Sequence, residues 1–146
     1  MNSPSLQSDL LLRIVEGVPR EALDRPRADG SWTAREHFAH LARYHEVFLE
    51  RVERMRTEDR PRFTRYRAED DPEFAAWRPL PVDELIARLL PLRRRVIDSI
   101  ASLGDAGLAR TGVHSAFGEM PVSMWLEFFL AHEGHHIYEI FKRSRI

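Results

Sequence analysis

Residues 125–141 read WLEFFLAHEGHHIYEIF, and the reading of this stretch decides the fold. It has no proline and one glycine, and it is apolar nearly all round, which predicts a helix buried on more than one face. At about 100° per residue, His132 and His136 lie roughly 40° and one turn apart, so both imidazoles reach a common point. Trp125, Phe128, Phe129 and Glu139 share that face, and His135 lies roughly 60° to the other side of His132. A lone core histidine usually finds carbonyl partners. Burying two at this spacing needs several hydrogen-bond partners that the face does not offer, so the pair reads as half of a metal site.

The bulk composition narrows the setting. A chain of 146 residues is long enough for one domain with a real core, here 1–146. Its 22 Lys and Arg against 23 Asp and Glu give no basis for a nucleic-acid or membrane-surface partner. The absence of cysteine excludes disulfides, thiolate metal ligands and a cysteine nucleophile, so a metal must use His, Asp or Glu. The start, MNSPSLQSDLLLRIVEG, lacks a basic leader region, and Asp9 and Arg13 break its apolar run. No apolar run approaches membrane-spanning length. These features predict a soluble, cytoplasmic protein.

Upstream, Leu6, Leu10, Leu11, Ile14, Val15 and Val18 set a helical rhythm that Gly17 and Pro19 close. A polar connector follows, with a short helical turn at Glu21 to Asp24. Thr33 and Glu36 form a capping box for a second helix reaching about Arg56. Its apolar stripe is Ala34, Phe38, Leu41, His45, Phe48, Val52 and Met55, with His37 at the edge and His40 roughly 100° from Leu41, beside Tyr44 and Val47. Glu58 to Leu80 is too long for a plain turn and is expected to pack across the other helices, held by Phe63, Tyr66, Phe74 and Trp77. Pro81 opens a third helix running to Gly104, with Pro91 inside it. The glycine-containing connector Leu103 to Met120 holds one short extended piece at Val113 to Phe117, and Pro121 starts the last helix. No strand pattern of useful length is visible. The prediction is an all-α four-helix bundle with long connectors between helices 2 and 3 and helices 3 and 4, a fold that builds its sites from facing helices.

His132-Glu133-Gly134-His135-His136 also satisfies H-E-x-x-H, in which two histidines hold zinc and the glutamate serves as base. That chemistry takes its third ligand downstream, and no histidine follows His136. A third ligand must come from upstream, from His37, His40, His45 or His114, and helical periodicity alone does not choose among them.

The segment Trp32 to Leu41, W-T-x-R-E-H-x-x-H-L, together with H-x-x-x-H at His132 to His136, resembles the DinB/YfiT-like superfamily. His114 and Phe117-Gly118 before a proline-started helix resemble the stretch preceding that family's last helix, and element order agrees over nearly the whole chain. The resemblance implies one divalent ion held by His40, His132 and His136. Three imidazoles leave a position open for water or substrate, the pattern of catalytic sites. Where many members follow the last histidine pair with Arg-Gly-Gln, this chain has Ile137-Tyr138-Glu139. Glu139 is therefore a candidate to orient a histidine, to bind the ion or to act as base.

Zinc is the first expectation for the ion, with nickel, iron and copper also suited to imidazole. An ion so held lowers the pKa of a bound water or thiol. The resemblance implies transfer chemistry with an external low-molecular-weight thiol on a small-molecule substrate. The alternatives are a metal-dependent hydrolase with Glu133 or Glu139 as base, and a non-catalytic bundle stapled by the ion, for which Trp125, Phe128 and Phe129 should fill the space beside the histidines. Tyr44, Trp125 and Phe128 are the candidate substrate contacts. Leu126, Leu130, Ile137 and Phe141 form a second apolar stripe on the last helix, suited to a homodimer or to packing on the first helix.

Overall fold

The computed structural model describes the backbone of residues 4–146 and the side chains of residues 9–146, so the predicted Leu6 contact and the first three residues lie outside it. Four long helices carry the fold: α1 (Pro4–Val15), α3 (Ala34–Thr57), α5 (Val82–Ala101) and α7 (Val122–Arg143). Short helices α2 (Arg20–Leu23), α4 (Pro72–Trp77) and α6 (Gly104–Leu108) sit in the connectors. Helix α3 packs on α5 and α7, and α1 packs on the same two, so consecutive long helices α1 and α3 sit diagonally. No helix among the described residues is long and apolar enough to cross a membrane.

On α1 Leu11, Ile14 and Val15 of the predicted stripe are buried while Leu10 is exposed, and α3 follows its stripe throughout. On α3, Ala34, Phe38, Leu41, His45, Phe48, Val52 and Met55 are all buried. On α5 the buried set is Val82, Leu85, Leu89, Leu92 and Val96. Burying one such aliphatic or aromatic side chain contributes about 1.5–3 kcal/mol, so these stripes dominate the stability of the bundle. At the start of α3 the Thr33 hydroxyl accepts from the Glu36 amide at 3.1 Å, and the Glu36 carboxylate accepts from the Thr33 amide at 3.0 Å. Pro81 and Pro121 stand at the N-cap positions of α5 and α7, one residue earlier than the first helical turn.

One expectation needs correcting. The connectors hold a three-stranded sheet of order β1 (Arg62–Phe63), β2 (Thr111–His114) and β3 (Gly118–Pro121), where the sequence reading found no strand pattern and only one extended piece. Strand β1 runs parallel to β2, pairing Phe63 with His114, and β2 runs antiparallel to β3, pairing His114 with Gly118. Strands of two to four residues are too short to show alternation. Gly118 takes φ 80° where it closes the β2–β3 turn, a left-handed backbone that favours glycine.

Of the two settings expected for the second apolar stripe on α7, packing on the first helix accounts for part of it. Leu130 and Ile137 are buried, and Ile137 shares a core cluster with Leu11, Ile14 and Val15 of α1. Of the four stripe residues only Phe141 is exposed, so this face offers a second copy far less apolar surface than the pattern implied.

Candidate metal centre

The site forms where the N-terminal half of α3 faces the middle of α7. Trp32 precedes the Thr33 cap and packs edge-on against His37, four residues into the helix count, with ring centroids 5.2 Å apart. That contact has the form of a staple across a helix start. It also fixes the first turns of α3 against α7, because Trp32 lies 5.2 Å from the His40 ring and 6.2 Å from the His136 ring.

His40, His132 and His136 converge. Each offers one ring nitrogen, and the three lie within 4.8 Å of one another. His40 Nε2 and His132 Nε2 face each other at 3.2 Å. A tetrahedral ion with Zn–N bonds near 2.0–2.1 Å places its nitrogens roughly 3.3 Å apart, so the donor set fits such an ion after small side-chain adjustment. Burial holds all three imidazoles in the neutral, ligating form. It depresses His40 to about 3, helped by His132 and His37, and it depresses His132 to about 4. His136 is lowered as well, by burial and then by its histidine neighbours.

The other ring nitrogens are held unequally. His136 Nδ1 is hydrogen-bonded to His37 Nδ1 at 2.8 Å, which frees His136 Nε2 for a ligand. The Nδ1 atoms of His40 and His132 are buried with no partner among the described residues. Periodicity placed His37 at the edge of the stripe as one of four possible third ligands, and its contact with His136 was not foreseen.

The remaining histidines go elsewhere. His45 is fully buried, with Nδ1 donating to Leu41 O at 2.7 Å and Nε2 at 3.7 Å from Glu133 Oε2. His114 Nδ1 accepts from the amides of Ala116 and Phe117 at 2.9 and 3.2 Å and so shapes the β2–β3 turn. His135 is exposed.

A cavity of about 470 Å³ opens beside the triad. Its wall includes the three histidines together with Trp32, Tyr44 and Phe128, and the segment carrying Arg65, Tyr66, Arg67 and Glu69 closes another side. The Tyr66 hydroxyl donates to Asp71 at 2.5 Å, and Asp71 also pairs with Arg43 at 2.8 Å, which pins that segment to α3. The long connector therefore does cover the site. Phe63, Phe74 and Trp77 are its buried anchors.

Three of the candidate contacts fall outside this wall. Trp125 shares the histidine face by periodicity, but β2 covers that end of α7; the indole is 1% exposed and donates to Gly112 O at 3.4 Å. Glu133 points to the opposite side, where it pairs with Arg93 inside the bundle, and burial raises its pKa against that partner. Glu139 is held by Lys142 at 3.1 Å and Arg143 at 3.0 Å. Burial opposes ionisation of Glu139, but those cations outweigh it and hold its carboxyl below the usual range. Tyr44 and Phe128 do line the cavity. Among the described residues Glu69 is the one carboxylate on the wall, and nothing in the sequence singled it out.

The sequence profile of the DinB superfamily matches residues 6–140. A Bacillus mycoides (strain KBAB4) protein named "putative metal-dependent hydrolase" is 28% identical over 130 residues, covering 89% of this chain and 75% of that one. A solved structure, YfiT from Bacillus subtilis, superposes with a TM-score of 0.78 at 26% identity, covering 97% of this chain and 82% of that one. It is described as "a probable metal-dependent hydrolase with an unusual four-helix bundle topology". On the profile match, the helical architecture and the convergent histidines, this chain belongs to the DinB superfamily.

Proposed function

We propose that this protein is a metal-dependent hydrolase of a small molecule, with one divalent ion, zinc first among the imidazole-binding metals, held by His40, His132 and His136. The observation that carries the reading is the meeting of three neutral imidazoles at the wall of an open cavity. The names of the Bacillus mycoides protein and of YfiT point the same way. A divalent ion at such a site acts as a Lewis acid and brings the pKa of coordinated water down to about 7.

The chain's own residues supply the rest. His37 fixes the ring of His136 through Nδ1, while Tyr44 and Phe128 give the cavity aromatic walls against which a small substrate is oriented. The rings of Trp125 and Phe129 are packed in the core and leave the cavity open, which argues against an ion that merely staples the helices.

A second reading, transfer to or from an external low-molecular-weight thiol, draws support from one feature. Neither Glu133 nor Glu139 lines the cavity, so a base for water is not at hand among the expected residues, whereas a thiol is taken as the thiolate. Assay of a panel of small esters, amides and thiol conjugates decides between them. The hydrolase reading predicts turnover that chelator removes, that zinc restores and that needs no added thiol. Turnover only with thiol present would favour transfer.

A further inference from the structure

One buried charge beside the triad has no counter-charge. Arg51 of α3 is 6% exposed and lines the same cavity as His132 and Tyr44. Its guanidinium donates to Tyr44 Oη at 3.3 Å and to Thr64 O at 3.1 Å, and its central carbon lies 5.3 Å from the centre of the Trp125 ring and 5.7 Å from that of the Phe63 ring. Two of five N–H donors are thus used on neutral groups. Among the described residues no carboxylate pairs with it, in contrast to Arg93, the other buried arginine, which has Glu133.

An arginine buried without an anion is strongly disfavoured unless something supplies the missing charge. The two aromatic rings beside it and the Thr64 carbonyl hold the fork in place. The cavity's other cations reinforce the sign of the field: Arg65 and Arg67 stand on the wall against the single acid Glu69.

We propose that Arg51 is a substrate-binding residue and that the substrate carries a carboxylate, which pairs with Arg51 while the reacting end lies at the histidine triad. Arg51 is the one buried guanidinium on the cavity wall among the described residues, which matches a single negative charge, and its remaining N–H donors suit the oxygens of a carboxylate. Tyr44 ties the two ends together, since its hydroxyl accepts from Arg51 and its ring lies 4.5 Å from the His132 ring. The inference rests on the metal-dependent reading of the same cavity.

The test uses cobalt-loaded protein and ω-mercapto carboxylic acids of two to five carbons, each beside the ω-mercapto alcohol of equal length. Binding is read by titration of the cobalt absorption and by calorimetry. The thiol anchors every probe at the ion, so the difference between acid and alcohol reports on the distal group. At the best chain length the acid is expected to bind roughly tenfold tighter or more, the scale of a charge-assisted hydrogen-bond pair. Arg51→Met, which keeps the stem on Trp125 and Phe63, should erase that advantage while leaving the alcohol's affinity unchanged. Should that variant fail to fold, Arg51→Lys, which keeps the charge without the fork, should retain only part of it. The proposal is overturned if no acid outbinds its alcohol in the wild type, or if the advantage survives Arg51→Met. If alcohol and acid alike leave the cobalt absorption unchanged because no ion is held, the inference falls together with the metal reading; if the alcohol binds and the acid gains nothing, it falls alone.

Discussion

Helices α3 and α7 carry two polar clusters that face opposite ways. On one side His40, His132 and His136 meet at an open cavity; on the other, His45 and Glu133 meet Arg93 of α5 inside the bundle. The residues are neighbours in sequence, with Glu133 directly after His132, yet the roughly 100° between adjacent helical residues sends them to different surroundings. The sealed cluster neutralises its own charge, as Arg93 binds Glu133 with both groups almost wholly buried. The open cluster holds no such internal ion pair. It presents three uncharged nitrogens to one point and leaves a cationic wall behind them. Charge balance marks the structural cluster, although His45 Nε2, Arg93 Nε and Nη1 and Glu133 Oε2 find no hydrogen-bond partner among the described residues; convergent ring nitrogens and a cationic wall mark the functional one. The same division sets the H-E-x-x-H pattern apart from the zinc-peptidase arrangement in geometry: the glutamate between its histidines is bonded to Arg93.

Stability should respond most strongly on the sealed side. Glu133→Ala leaves Arg93 buried and unpaired and is expected to remove about 3–5 kcal/mol from urea unfolding of the metal-free protein. Replacing both partners together, Arg93→Met with Glu133→Leu, should recover most of that loss. A single-variant loss below about 1 kcal/mol would break the contrast between the clusters. Trp125→Ala should cost a comparable ~3–5 kcal/mol, because the indole is core, whereas Phe128→Ala should cost far less and act on ligand binding instead.

Acid sharpens the comparison in a different way. Burial lowers His40 and His45 to about 3, and it lowers His37 and His132 to about 4. The folded chain therefore binds fewer protons than the unfolded chain at these positions. Their contribution to stability is whole above the unfolded value near 6.5 and is lost as pH falls through 4 and then 3. Denaturation midpoints followed from pH 7 to pH 3 should decline across that window, and a flat profile would contradict neutral burial. The smallest effect on stability is expected from His37→Leu, which leaves the fold nearly unchanged while weakening ion affinity about 10–100-fold through loss of the bond to His136. Competition with a metal-sensitive dye measures it.

Much of this was legible in the sequence, and the remainder has specific causes. The long helices were readable because stripes such as Phe38, Leu41, Phe48 and Val52 repeat over many turns, and the Thr33–Glu36 capping box marked a boundary directly. Two of the three convergent histidines followed from spacing within α7, but the choice of His40 over His37, His45 and His114 came from family resemblance. Periodicity gives the side of a helix and leaves open the neighbour that covers it. The roof of β2 over the Trp125 end of the face and the pairing of Glu133 with Arg93 across the core are contacts of that kind. Arg51 and Glu69 were illegible because their setting depends on a connector that crosses the bundle, a contact between segments with no local signature.

The central claim is that the three convergent histidines hold an ion. Elemental mass spectrometry on untagged protein, wild type beside His136→Ala, tests it most directly. About one divalent ion per chain is expected in the wild type, the stoichiometry of a single site built from three imidazoles, and its loss in the variant with the helical fold retained. Wild-type protein that stays metal-free after loading with zinc, nickel, iron or copper, or a variant that keeps its ion, would contradict it.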